Sequence, residues 1–143
     1  MRTIALCLAA AAVSLAFAPA PLPRRDRSPT SNDLSRLQGN WTRVTYNGHP
    51  TPYSLIVVKG DVWRANVPND AWVLKLDPTA RPKRIDLIKV GQQQPSFRGV
   101  YKLEGDTFTY SLGYNVPGEK RPRDFEPNRP NAWVAVHKRL AKR

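Results

Sequence analysis

The chain has 143 residues, a formal charge of +12 at pH 7 and a single cysteine. That length makes one domain whose core can stand without disulfides or metal, and Cys7, set in an apolar N-terminal run, leaves no pair for a disulfide framework. The basic excess persists over residues 32–143, where 19 Lys/Arg stand against 10 Asp/Glu, and raises encounter rates with polyanions in general.

Residues 1–18 read as a secretory signal peptide. Arg2 is the charged start, Ile4 to Leu15 the apolar stretch and Ala16-Phe17-Ala18 a small-x-small cleavage site. The mature chain is expected to begin between Pro19 and Arg24 and to lie in the periplasm, the cell envelope or the medium, with no stable membrane span after cleavage. Anionic envelope polymers then become the sensible polyanions, and no nucleic acid partner is expected. Cys7 is a poor lipid acceptor, because Leu6 stands where a small residue is needed. Residues 19–31, with Pro19, Pro21, Pro23, Pro29 and three arginines, read as a linker.

The folded domain is expected over residues 32–143. Asn32 or Asp33 can cap a short helical turn, Leu34–Gln38, which Gly39 ends in the position helices favour for glycine. From there the pattern turns to β. Strands are predicted at Trp41–Tyr46, Leu55–Lys59, Val62–Ala65, Trp72–Leu76, Arg84–Val90, Phe97–Leu103, Thr107–Leu112 and Trp133–Arg139, joined by turns at Asn47-Gly48, Gly60-Asp61, Asp77-Pro78 and Gly105-Asp106. Phe108, Tyr110 and Leu112 share one face of their strand, as do Trp72, Leu74 and Leu76. In Leu55–Lys59 and Trp133–Arg139 both faces are apolar enough to leave the inward set open. The Pro-rich, charged connection 113–131 is expected to be a lid or a disordered loop.

Four stretches carry a family resemblance: Leu37-Gln38-Gly39-Asn40-Trp41; Leu76-Asp77-Pro78-Thr79 followed by Pro82 through Leu87; Gly99 through Thr107; and Pro122 through Phe125 before Lys138-Arg139. In this order they resemble the secreted lipocalin-like (calycin-type) domain family of uncharacterised function that is expanded in planctomycete bacteria. The resemblance implies an all-β protein, an eight-stranded antiparallel meander barrel with a short N-terminal helical turn, and no assigned activity. It also implies that Trp41 of the Gly-x-Trp closes one end of the barrel beneath a basic residue of the last strand, so that Gly39, Trp41 and Arg139 are structural. Lys138 would take the place of Arg139 if the register slipped by one.

Eight strands enclose an interior that side chains can fill or that can hold one small ligand. Trp63, Trp72, Phe97, Tyr101, Phe108 and Tyr110 are the candidate ligand contacts, and could equally pack the lumen themselves. No catalytic residue, metal site or cofactor is predicted. His49 and His137 lack a second ligand at metal-like spacing, and the nucleophile elbow, the mature thiol and the glycine-rich phosphate loop are all missing. Two basic clusters on turns, Arg81-Pro82-Lys83-Arg84 and Lys120-Arg121-Pro122-Arg123, supply candidate polyanion contacts: Lys83, Arg84, Lys120, Arg121 and Arg123. The expected function is an exported, non-enzymatic binding or interaction module for a small apolar molecule or an anionic envelope component. The alternatives are an envelope enzyme with a site at the barrel mouth, and an interaction domain with a filled core.

Overall fold

The computed structural model describes residues 29–52 and 54–141. The signal peptide and most of the linker reading therefore lie outside the described residues. Helix α1 spans Pro29–Leu37, and nine strands follow: β1 Gly39–Tyr46, β2 His49–Pro50, β3 Leu55–Lys59, β4 Val62–Ala65, β5 Ala71–Asp77, β6 Arg84–Lys89, β7 Phe97–Glu104, β8 Thr107–Tyr114 and β9 Ala132–Arg139. Eight of these strands match the expected ones to within two residues at each end. The two-residue β2 is an unanticipated ribbon, folded back on β1 by the Asn47-Gly48 turn.

Every pairing is antiparallel between strands that follow one another, and β1 also pairs with β9. With β2 set aside as a side ribbon, this is a closed eight-stranded meander barrel, as predicted. Closure removes the unpaired edges that an open sheet would present. The alternating faces identified in β5 and β8 point inward: Leu74, Leu76, Phe108, Tyr110 and Leu112 are all buried in one core cluster. The structure also resolves the ambiguous strands, since Ile56 and Val58 of β3 and Ala135 and His137 of β9 are buried. A bulge in β1 between Arg43 and Thr45 shifts the register against β9, so Arg43 faces His137 while Thr45 faces Val136.

One end of the barrel is sealed by α1. The helix begins five residues before the predicted turn, so Asp33 is not its cap. Asp33 sits inside the helix, buried, and accepts hydrogen bonds from Lys83 Nζ and the Tyr101 hydroxyl, each at 2.7 Å. Trp41 is fully buried beneath the helix and donates its indole N–H to the Leu37 carbonyl at 2.8 Å. The Arg139 guanidinium lies 4.2 Å from the Trp41 ring centroid. It also donates to the carbonyls of Gln38 and Arg36 and pairs with Asp106. A cation at this position meets the unsatisfied carbonyls and negative dipole end of α1. Gly39, at φ +112°, turns the chain from helix into β1, and a Cβ there would stand 3.6 Å from Arg139 Nη1 in a backbone conformation strained for any side chain.

The connection 115–131 is neither a lid nor free of the barrel. It runs along the outer wall of β6, β7 and β8, where Arg121 donates to the carbonyls of Ile85 (3.2 Å) and Gly99 (2.9 Å), and Pro122 is buried against Gly113. Val100 and Ser111, on the outer side of these strands, are buried accordingly.

Candidate functional site

The end of the barrel opposite α1 is open. It leads into a cavity of about 270 Å3 walled by inward side chains of the barrel strands. Four of the predicted ligand contacts line it: Trp63, Trp72, Phe97 and Tyr110. The other two lie deeper. Phe108 is fully buried 5.9 Å from the Trp41 ring, and Tyr101 reaches to Asp33, so both pack the sealed half. The interior is therefore filled at one end and hollow at the other.

The mouth is rimmed by aromatic rings. Phe97 stands at the centre, 5.0 Å from Trp72, 5.1 Å from Trp133 and 5.5 Å from Tyr114. Trp72 is held by its indole N–H, which donates to Asp70, and by Lys89, whose ammonium lies 4.5 Å from the ring centroid. Such ring and cation contacts fix the orientation of flat apolar surfaces.

The polar groups of the cavity were not anticipated. Arg43, Asp70 and His137 line it together with the aromatic residues. In the sequence His137 has no second ligand at metal-like spacing and Arg43 belongs to no basic cluster. Neither could be placed inside without knowing the β1–β9 register. His137 is buried, stacked 5.4 Å from Tyr110 and edge-on to Trp63 at 6.1 Å. Burial, reinforced by the Arg43 charge, depresses its imidazole to about 3, so it is neutral at physiological pH. Burial likewise holds the Tyr110 phenol above its ordinary value. The Nδ1 of His137 and the Nε of Arg43 are buried with no hydrogen-bond partner.

The basic residues predicted to meet polyanions divide into two groups. Lys83 is engaged by Asp33 at the sealed end, and Arg121 pairs with Asp86 at 2.7 Å besides its two carbonyl contacts. Neither is the solvated loop base that the sequence suggests. Arg84, Lys120 and Arg123 line an outer groove of about 730 Å3, as does Arg121 itself, joined there by Arg81 of the first basic cluster and by Arg98, which sequence reasoning did not group with them. The groove holds one carboxylate, Glu119, and this accepts a hydrogen bond from Asn131 at 2.7 Å.

Among the described residues no group of three or more His, Cys, Asp or Glu is placed to hold a metal ion, and no helix is long and apolar enough to cross a membrane. The architecture defines a closed eight-stranded antiparallel barrel compatible with a lipocalin-like fold and with a binding module. In comparisons with protein-family models, with curated proteins and with solved structures, nothing matches the chain.

Proposed function

We propose that the protein is an exported, non-enzymatic, lipocalin-like binding module that takes a small, largely apolar molecule into the open end of its barrel. The observation that carries this reading is the hollow half of the interior, about 270 Å3 behind a rim of aromatic rings. A side-chain-filled barrel would have spent that volume on packing, which protein interiors otherwise achieve densely. The volume exceeds the roughly 150 Å3 apolar cavity that takes benzene and approaches the roughly 300 Å3 at which drug-sized pockets begin. Titration of the full chain with 2-naphthylmethanol, followed by tryptophan fluorescence, should give saturable quenching, because Trp63, Trp72 and Trp133 line the cavity. Ala65→Phe, which fills it, should abolish that binding. Absence of saturable binding by this alcohol and by its acid and amine isosteres alike, or binding indifferent to Ala65→Phe, would contradict the reading.

Export rests on the leader-like residues 1–18. The check is mass spectrometry of the native protein, with a mature N-terminus between Pro19 and Arg24 expected and an intact Met1 on a cytoplasmic species as the contrary result. A second reading, contact with an anionic envelope polymer, is favoured by the outer groove and its arginines.

A further inference from the structure

We infer that the barrel cavity is built for a small aromatic carboxylate, with a body of one or two rings between the rim aromatics and its charged head on Arg43. This rests on the barrel-binding reading above and names the ligand class.

Charge bookkeeping inside the cavity points to an anion. Two charged side chains line it, Arg43 and Asp70. Asp70 is already answered, since it accepts the Trp72 indole N–H and stands 3.9 Å from the Lys89 ammonium. Arg43 is not. Among the described residues it enters no ion pair, its guanidinium carbon lies 5.2 Å from the Tyr46 ring centroid, and its Nε is buried without a hydrogen bond. Five of the ten described guanidinium groups, those of Arg36, Arg81, Arg121, Arg129 and Arg139, meet carboxylates or backbone carbonyls, whereas Arg43 is the one that lines the cavity. A guanidinium presents a planar fork of donors that matches a carboxylate bidentately.

His137 strengthens the assignment. The register sets it directly opposite Arg43 across the β1–β9 ladder, and its Nδ1 is a second buried nitrogen without a partner. Being neutral, the imidazole adds a hydrogen-bonding group beside the guanidinium without adding a charge. Everything else facing the hollow is aromatic or aliphatic apart from Ser54. Two adjacent unpartnered nitrogens at one side and flat apolar walls around them describe a ligand with a compact acidic head and a planar body. The same charge disfavours a cationic ligand, which an aromatic rim alone would have welcomed.

Three isosteric probes separate the possibilities on the full chain by isothermal titration calorimetry: 2-naphthoate, 2-naphthylmethanol and 2-naphthylmethylamine. The acid is expected to bind about tenfold or more tightly than the alcohol, as a charge-assisted hydrogen bond supplies, and the amine most weakly. Arg43→Met keeps the aliphatic stem and should bring acid and alcohol to equal affinity; Arg43→Gln should do the same, and circular dichroism verifies the fold of both. Equal binding of acid and alcohol by the unaltered chain overturns the carboxylate inference while leaving the barrel reading intact. Failure of all three probes to bind overturns the barrel reading and this inference with it. An acid preference that survives both Arg43 variants, or Ala65→Phe, places the head group elsewhere and overturns the role of Arg43.

Discussion

His137 stands where water cannot hydrate its cation. The folded protein keeps the imidazole neutral down to about pH 3, whereas the unfolded chain takes up a proton near pH 6.5. Between those values the unfolded state binds more protons, so stability is complete above about pH 6.5 and declines as pH falls toward 3. Asp33 adds to the loss at the acid end. Burial alone would raise its carboxyl, but hydrogen bonds from Lys83 and Tyr101 outweigh that and hold it below the ordinary 3.8. Urea midpoints should therefore drop steadily between pH 7 and pH 4, and His137→Leu should flatten the decline. A midpoint that is level over this range in the unaltered protein is the contrary outcome. Trp41 and Arg139 form the second test at this scale. Trp41→Ala empties a fully buried site and is expected to cost about 3–5 kcal/mol, Arg139→Ala less. Because the rings and guanidinium share one contact, the two losses should be non-additive in a double-mutant cycle.

Strands β7 and β8 approach so closely at one point that only glycine fits. A Cβ on Gly99 would lie 1.8 Å from the Ser111 carbonyl oxygen, part of the backbone and unable to swing aside. Gly99→Ala should destabilise the barrel by at least about 3 kcal/mol, at the upper end of overpacking costs, measurable as a fall in urea midpoint. For α1 the critical side chain is Asp33. Its replacement by Ala orphans the buried Tyr101 hydroxyl and releases Lys83, with an expected loss of about 1–3 kcal/mol. The strands were legible because alternation in β5 and β8 and the Gly-containing turns each leave a local trace. The Gly-x-Trp of Gly39 and Trp41, with Arg139, likewise pointed to the sealed end. The unread parts are non-local. Asp33 looks like a helix cap until Lys83 arrives from the β5–β6 turn and Tyr101 from β7. Arg121 looks solvated until the connection lies down on Asp86. The cavity's polar pair needs the register of the first strand against the last, and the bulge in β1 writes no signal of its own.

Across the whole molecule the basic excess is distributed unevenly in function. Part of it is structural, as in Lys83, Arg121 and Arg139, and part lines the outer groove. Retention on a heparin matrix, used as a polyanion probe, should weaken steeply with salt because exposed charges are screened beyond roughly 8 Å at physiological ionic strength. Exchange of Arg81, Arg84, Arg98, Lys120 and Arg123 for Gln should abolish most of the retention, with a modest fall in urea midpoint from the local carbonyls that Arg81 leaves behind. Arg121→Ala should instead lower stability by about 1–3 kcal/mol and, as one groove cation of six, reduce retention less than the fivefold exchange does. Retention unchanged by the fivefold exchange would remove the groove from consideration. The seal made by α1 has a further consequence, one of orientation. Helix α1 and the end of β9 both lie at the closed pole, since Arg139 clasps the carbonyls of Arg36 and Gln38. The described barrel thus carries α1 and the end of β9 together at the pole farthest from the aromatic rim. Held by that pole on a bead or an electrode, the barrel stands like a cup on its base with the opening turned to the solution.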